Sequence, residues 1–182
     1  MKELSLNLLD IAQNSLTAGA DLVEIGILVD EQKDTLTIYI KDNGCGMTPE
    51  QVQSVTDPFF TTRTTRKVGL GIPLFKLAAQ QTGGDLEIES QKGVGTKTTA
   101  WFTLSSIDRM PLGDLKGTIT VLIRMNPQTD FLYIEQLNDK KMEIDTRTFR
   151  EILGDVPLDD PDVMEWISGF YDENSPLINT TY

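Results

Sequence analysis

The chain of 182 residues contains no histidine and a single cysteine, Cys45. Without histidine it cannot use an imidazole as an acid, a base or a metal ligand near neutral pH. One cysteine excludes a disulfide within the chain. No apolar run reaches the roughly 18 residues of a membrane span, and the N-terminus lacks the apolar stretch of a signal peptide. We therefore expect a cytoplasmic protein.

Positive charge is scarce. The chain has 16 lysines and arginines against 28 acidic residues, a net charge of -12. This balance argues against a nucleic acid or an anionic membrane as the main partner. Residues 1–106 hold 13 acidic and 9 basic residues, whereas residues 107–182 hold 15 and 7. The excess of acid is thus concentrated in the C-terminal part.

Hydrophobic periodicity divides residues 1–106 into helices and strands. Apolar residues three and four positions apart predict helices, and strict alternation predicts strands. The expected helices cover residues 3–18, a segment that begins at Thr48–Pro49, and residues 71–82; the expected strands cover residues 23–29, 35–41, 86–90 and 97–104. Together they predict an α+β fold of two layers, with helices on one face of a mixed sheet.

The helix at 71–82 is expected to bury Ile72, Phe75, Leu77 and Ala79. Its apolar residues are spaced as on one side of a helix. Glycines at positions 83 and 84 end the helical pattern.

Residues 107–182 are expected to form a small α+β extension, separate in sequence pattern from residues 1–106. The β-branched run at 118–125 fits either a strand or a buried helix, and the pattern does not decide between them. The other expected elements are a hairpin of strands at 131–136 and 141–145 and two helices at 146–153 and 162–170.

Five short motifs follow one another in residues 1–106, and their order is more specific than any one of them. They are Asp10-Ile-Ala-Gln-Asn14-Ser15, Asp42-Asn-Gly44-Cys-Gly46-Met47, Pro58-Phe-Phe-Thr-Thr62, Gly69-Leu70-Gly71 and Gly93-Val-Gly95-Thr96. This series resembles the N, G1, F, G2 and G3 boxes of the GHKL superfamily of gyrase B, Hsp90, histidine kinases and MutL. The resemblance implies the Bergerat fold, bound ATP and Mg²⁺.

On the first helix, the resemblance implies roles for Asn14 and Asp10. The amide oxygen of Asn14 is a hard, neutral ligand suited to Mg²⁺, which usually also binds phosphate oxygens and water. Asp10 lies one turn earlier on the same side of the helix. It occupies the position of a glutamate that acts as general base in related ATPases, but it is one methylene shorter. It is either the catalytic residue or a solvated carboxylate.

At the adenine end, Asp42 is expected to accept a hydrogen bond from the exocyclic amine of adenine. A carbonyl replaces that amine in guanine, so the pairing selects adenine. Thr96 is expected to support the base through water, as the related threonine does in the family. Gly44 and Gly46 are expected to let the backbone turn tightly and approach the ring.

At the phosphate end, Gly69, Leu70 and Gly71 open a helix, and free N–H groups at a helix N-terminus bind phosphate. The glycine pairs lack the spacing of a dinucleotide-binding or Walker motif. The preceding loop carries the remaining candidates for phosphate contacts, which are Thr62, Arg63, Arg66 and Lys67.

Because the chain has no histidine, it cannot phosphorylate itself on histidine. Three functions remain open. The first is a kinase that phosphorylates a separate partner protein, as anti-sigma-factor kinases do. The second is a slow ATPase that works as a conformational switch, like MutL or gyrase B. The third is a non-catalytic nucleotide sensor that docks a partner.

The C-terminal part offers two features that such a partner could use. The segment from Asp155 to Glu173 has seven carboxylates and no lysine or arginine, although such a run is more often a solvated face. Trp166, Ile167 and Phe170 either pack against the first part of the chain, which is the favoured interpretation, or form a partner-binding face. The acceptor, the partner and the oligomeric state stay open.

Overall fold

The computed structural model describes residues 3–56 and 70–182. Within these ranges the helices are α1 (Leu4–Thr17), α2 (Pro49–Thr56), α3 (Gly71–Gln81), α4 (Leu115–Met125), α5 (Thr146–Leu153) and α6 (Pro161–Asn174). The strands are β1 (Leu22–Asp30), β2 (Thr35–Asp42), β3 (Asp85–Gln91), β4 (Gly95–Thr103), β5 (Asp130–Leu137) and β6 (Lys140–Asp145). The elements expected in residues 1–106 are confirmed, with ends that differ by one or two residues.

The six strands form one sheet in the order β3-β4-β2-β1-β5-β6. Neighbouring strands are antiparallel except β1 and β5, which are parallel. Strand β1 therefore lies between β2 and β5, with Leu22 beside Asp130 and Val29 beside Leu137. The predicted hairpin of β5 and β6 is confirmed, and it continues the sheet that residues 1–106 begin.

One face of the sheet is apolar and lies under helices. Along each strand, buried residues alternate with more exposed ones, because successive side chains point to opposite faces. Helices α1, α3 and α4 contact this face. The resulting core is continuous from Leu4 to Leu177. The predicted two-layer α+β fold is thus confirmed.

Residues 118–125, which the sequence left open, belong to α4. The carboxylate of Asp114, at the N-cap, accepts a hydrogen bond from the backbone N–H of Gly117 at 2.7 Å. This cap satisfies one of the free donors at the helix start. The apolar side is complete only when Leu115 is included, since the buried residues are Leu115, Thr118, Ile119, Leu122 and Ile123.

The expected burial of Leu77 is wrong, because its side chain is 51% exposed. Helix α3 buries Ile72, Phe75, Ala78 and Ala79 instead. Leu77 follows Phe75 by two positions, which places it about 200° around a helix of 3.6 residues per turn. It therefore lies on the opposite side from the core.

A buried carboxylate fastens α6 to β5. Glu135 is fully buried and accepts hydrogen bonds from the hydroxyls of Tyr133 at 2.6 Å, of Tyr171 and of Ser175. Tyr171 lies on α6, and Ser175 is its C-cap. Burial, followed by the negative charge of Glu135, raises the pKa of Tyr133 and of Tyr171. Both phenols therefore stay protonated and donate at neutral pH.

Candidate nucleotide site

The exposed side of α1 carries Asp10 and Asn14, one helical turn apart. Asp10 also meets the start of α3. A Cβ atom added to Gly71 would lie 3.2 Å from the Cβ of Asp10 and 3.5 Å from its Oδ2. The predicted catalytic carboxylate and the predicted phosphate-binding helix start are therefore side by side.

The carboxylate of Asp42, at the end of β2, is held from two directions. Its Oδ2 accepts a hydrogen bond from the hydroxyl of Ser15 at 2.6 Å, and its Oδ1 accepts one from the backbone N–H of Gly44 at 2.9 Å. Ser15 is buried and follows Asn14 on α1. Each carboxylate oxygen keeps a further acceptor site. An amine of an adenine ring can therefore still be bound.

Thr96 lies beside Asp42 in the sheet, since the two residues are cross-strand partners in β4 and β2. On the other side of Thr96, Ser90 places its Oγ 2.8 Å from the Oγ1 of Thr96. The same Ser90 Oγ donates to the carbonyl of Gly95 at 3.0 Å and accepts from the backbone N–H of Met47 at 2.8 Å. Ser90 thus ties Thr96 to the loop after Asp42.

The glycines near Asp42 are needed because two loops pack closely together. Gly46 has a φ of 64°, and a Cβ there would lie 2.0 Å from the carbonyl oxygen of Gln91. Gly95 has a φ of 142°, and a Cβ there would lie 2.0 Å from the carbonyl oxygen of Asp42. The backbone N–H of Gly93 donates to the carbonyl of Cys45 at 2.7 Å. These contacts fix the loops on which Asp42 and Thr96 depend.

Gly44 and Gly71 are buried against α1. A Cβ on Gly44 would lie 2.9 Å from the Cβ of Ala18, at the end of α1. The N-cap residue of α3 is Leu70, whose apolar side chain cannot cap the helix. Because the first N–H groups of a helix have no partner within the helix, the start of α3 can bind an anion.

Several predicted site residues lie outside the described ranges. They are Thr62, Arg63, Arg66, Lys67 and Gly69, together with the motif at 58–62. The structure therefore places Asp10, in the middle of α1, beside Gly71, and it places Asp42, Gly44, Gly46 and Thr96 near the C-terminal end of α1. Asn14 lies between the two groups along the helix. The structure adds Ser15 and Ser90, whose hydroxyls the sequence did not single out.

A cavity of about 440 Å³ borders Asp42, Ser90 and Thr96. Its lining also includes Glu24, Lys41 and Lys97. By the alternation of strand residues, these side chains point away from Ile40 and hence away from the helices. The bond between Ser15 and Asp42 lies on the helix side. The cavity therefore borders the backbone of Asp42 and Thr96 and opens mainly on the face of the sheet opposite α1.

The described part of the chain has no group of three His, Cys, Asp or Glu residues that could together hold a metal ion. A cation here would need oxygen ligands from elsewhere. Asn14 can supply one neutral oxygen, and Mg²⁺ commonly takes the others from phosphates and water. Among the helices of residues 3–56 and 70–182, none is both long and apolar enough to cross a bilayer.

Comparison with known proteins gives relatives for the same region. Over 101 residues the chain is 37% identical to the sensor protein SrrB of Staphylococcus aureus, a match that covers 53% of this chain and 17% of SrrB. The chain thus spans less than a fifth of that relative. The ATPase domain of Aquifex aeolicus MutL, complexed with ADP, has a similar fold, with a TM-score of 0.52 and 17% identity over 84% of this chain and 69% of that one.

The family match covers more than half of the chain. Residues 1–106 match the family described as histidine kinase-, DNA gyrase B-, and HSP90-like ATPase. The matched range contains α1, the end of β2 and the start of α3. Asp42 at the end of β2 bonds to Ser15 of α1, and Asp10 of α1 lies beside Gly71 at the start of α3. The chain therefore belongs to the family of histidine kinase-, DNA gyrase B- and HSP90-like ATPases.

Proposed function

We propose that the chain binds ATP with Mg²⁺ along α1 and transfers the terminal phosphoryl group to a separate protein. The observation that carries this proposal is that α1 joins both ends of the site. Ser15 binds the proposed adenine-binding Asp42, and Asp10 lies beside Gly71 at the proposed phosphate-binding helix start. Residues 10 and 15 are separated by about 7.5 Å along the helix axis, at 1.5 Å per residue.

Each part of the site has a proposed task. Asp42 and Thr96 select adenine, and the start of α3 binds phosphate through its N–H groups. Asn14 contributes an oxygen to Mg²⁺, which when bound neutralises phosphate charge during transfer. Arg63, Arg66 and Lys67 are proposed to contact the β- or γ-phosphate.

Asp10 is proposed to orient the acceptor. When the acceptor is a hydroxyl, its oxygen bonds to the γ-phosphorus, the bond from that phosphorus to the bridging oxygen breaks, and ADP leaves. The proton of the hydroxyl passes to the carboxylate of Asp10. These 182 residues hold no histidine, so an acceptor histidine would lie outside them. ATP as the phosphoryl donor suits the proposed location in the cytoplasm.

Two comparisons support a role in signalling. The family includes histidine kinases, and the relative SrrB is a sensor protein. Since the chain covers only a small part of SrrB, the input signal and the partner are not carried over.

A second function, an ATP-gated switch with slow hydrolysis, is favoured by the continuity of the sheet. Asp42 ends β2, which pairs with β1, and β1 pairs with β5. Closure around ATP could therefore change the C-terminal helices through the sheet. This function requires turnover without an acceptor, whereas the kinase requires one.

Calorimetric titration with ATP and ADP tests nucleotide binding. Asp42→Asn presents an amide where the adenine amine needs an acceptor, so we expect at least about tenfold weaker binding of both nucleotides. Asn14→Ala should remove most of the gain in affinity that Mg²⁺ gives to the wild-type protein. Gln13→Ala, an exposed neighbour on α1, is the control and should bind normally. Wild-type affinity in both site variants would contradict the proposed site.

Labelled ATP separates transfer from hydrolysis. With candidate acceptor proteins present, we expect label on the acceptor and little phosphate release from the chain alone. Asp10→Asn should lower transfer to a hydroxyl while nucleotide binding stays intact. Steady phosphate release without any acceptor, lost in Asp10→Asn, would favour the switch.

A further inference from the structure

The solvent-facing side of α6 forms a continuous surface. Its residues recur three and four positions apart and are all exposed, whereas Val163, Ile167 and Tyr171 on the other side are buried. We call this surface the α6 stripe; it consists of Asp162, Glu165, Trp166, Gly169, Asp172 and Glu173. The sequence had favoured core packing for Trp166, Ile167 and Phe170 together. That is wrong for Trp166, which is 44% exposed, whereas Ile167 is fully buried and Phe170 is partly buried against the core.

Trp166 is exposed on one side and packs against two aromatic rings on the other. Its ring meets the ring of Phe149 on α5 edge-on, with centroids 4.8 Å apart, and the ring of Phe170 at 6.3 Å. Phe149 is itself buried. A large side chain that is fixed on one side and open on the other loses little freedom when it is covered. Tryptophan is accordingly frequent among residues that dominate protein interfaces.

Gly169 leaves the helix backbone bare beside Trp166, and we call this gap in the side-chain layer the notch. It lies three positions after Trp166 in the same helix, so the two are neighbours on the surface. A Cβ added to Gly169 would meet no described atom within 4 Å. Glycine inside a helix is less favourable than alanine, and no contact within the described chain requires it here. Its absence of a side chain lets another backbone approach closely.

The charge of the stripe is of one sign. Four of its six residues are carboxylates, and the segment 155–173 contains no lysine or arginine. Only Asp172 has a basic partner within the described ranges, since its carboxylate pairs with Lys116 at 3.0 Å. The stripe therefore combines an apolar anchor, a notch and uncompensated negative charge.

We propose that the α6 stripe binds a basic amphipathic helix of another protein. An apolar side chain of that helix covers Trp166, its backbone enters the notch at Gly169, and its lysines or arginines face Asp162, Glu165 and Glu173. Such helices bind with apolar residues spaced as on one helical side, and opposite charge speeds and orients docking. The interaction uses none of the proposed nucleotide-binding residues and needs no ATP.

Tryptophan fluorescence tests the proposal on the full chain. The chain has two tryptophans, so a Trp101→Phe variant leaves Trp166 as the reporter. The probe is a synthetic helical peptide of leucine and lysine, and its counterpart has glutamate in place of lysine. We expect a blue shift with the lysine peptide, saturable and weakened by salt, and none with the glutamate peptide. No shift with the lysine peptide, or equal shifts with both, would overturn the proposal.

Substitutions at Gly169 separate docking from folding. Gly169→Ala should raise the melting temperature, because alanine favours the helix, and it should weaken peptide binding about threefold. Gly169→Gln should weaken peptide binding about tenfold. Unchanged peptide affinity in Gly169→Gln would show that the notch takes no part in peptide binding. Sedimentation of the peptide-free protein must show a monomer, since a dimer lost on Trp166→Ala would mean that a second copy covers the stripe.

A charge-matched pair of variants tests the electrostatic part. Glu165→Gln with Glu173→Gln removes two carboxylates from the stripe, and we expect about tenfold weaker peptide binding. Glu87→Gln with Glu89→Gln removes two exposed carboxylates from β3 and should have a much smaller effect. Equal losses in both pairs would show attraction to the net charge alone and would overturn the assignment to α6.

Discussion

At the scale of single residues, site residues that are characteristic of a motif could be predicted from the sequence. Residues that only hold those side chains in place could not. Asp42 and Thr96 lie 54 positions apart in the chain, yet they are cross-strand neighbours. The order of the glycine motifs was enough to expect both at one site. Ser15 stood in the first motif without a role of its own, because its bond to Asp42 depends on where β2 ends. Ser90 was missed for the same reason.

Replacing Ser15 by alanine should weaken nucleotide binding without unfolding the protein. The variant removes the 2.6 Å hydrogen bond to Asp42 Oδ2 and leaves only the N–H of Gly44 to orient the carboxylate. The loss of one such bond, about 1 kcal/mol, corresponds to about a fivefold higher Kd for ATP and for ADP. Calorimetry measures both constants.

Thr17→Ala is the matched control. It removes an exposed hydroxyl on the same helix, one that bonds only to the carbonyl of Gln13 at 2.9 Å. Its nucleotide affinity should equal that of the wild type. If Ser15→Ala also bound normally, Ser15 would have no part in orienting Asp42.

Among helices and strands, the predictions succeeded where buried and exposed residues alternate clearly. They failed where contacts at the end of an element decide its type or its length. β1 and β2 carry alternating buried residues and were predicted almost to the residue. α4 was left open because its β-branched run suits a strand, and only the cap at Asp114 and the buried Leu115 decide for a helix. α6 is longer than predicted at its C-terminal end, where Tyr171 and Ser175 bond to Glu135.

The attachment of α6 to β5 should fail in alkali. A tyrosine loses its proton near pH 10 in the unfolded chain, but burial raises the pKa of Tyr133 and Tyr171 in the folded chain. Above pH 10 the unfolded state therefore binds fewer protons, and stability falls as the pH rises toward the folded pKa values. Each such tyrosine contributes a slope of about 1.4 kcal/mol per pH unit.

Urea denaturation between pH 8 and 11 measures this slope. Tyr171→Phe should be less stable at pH 8 by about 1–2 kcal/mol, because Glu135 loses a donor, and it should lose stability less steeply above pH 10. Ser175→Ala, which removes another donor to Glu135 but no titrating group, is the control and should keep the steep slope. A wild-type protein whose stability is flat from pH 9 to 11 would contradict the expectation.

As one body, the protein is held together by a sheet that crosses the boundary at residue 106. β1 pairs with β2 on one side and with β5 on the other, and one core contains residues from both parts. The predicted division into residues 1–106 and 107–182 therefore needs a direct test. The sequence could not decide it, because the change in composition near residue 106 says nothing about which strands pair.

A chain that ends at residue 106 should not fold stably. Without β5, strand β1 becomes an edge with unpaired backbone groups. Without α4, apolar surface of α1 and the sheet is uncovered, at about 1.5–3 kcal/mol for each large apolar side chain exposed. We expect an insoluble product or one without a cooperative thermal transition. A soluble fragment that melts cooperatively would instead establish the predicted two-part division.

The parallel pairing of β1 with β5 also determines how long β1 lacks its second neighbouring strand during translation. Leu22 pairs with Asp130, 108 positions later. At about 5–20 residues per second, a ribosome needs about 5–20 s to supply the second neighbour of β1. During that interval the nascent chain carries a finished hairpin of β1 and β2 with one side open. A chain released from the ribosome before β5 has emerged would therefore expose the unpaired side of β1. Early termination of translation would yield an aggregation-prone form of this protein.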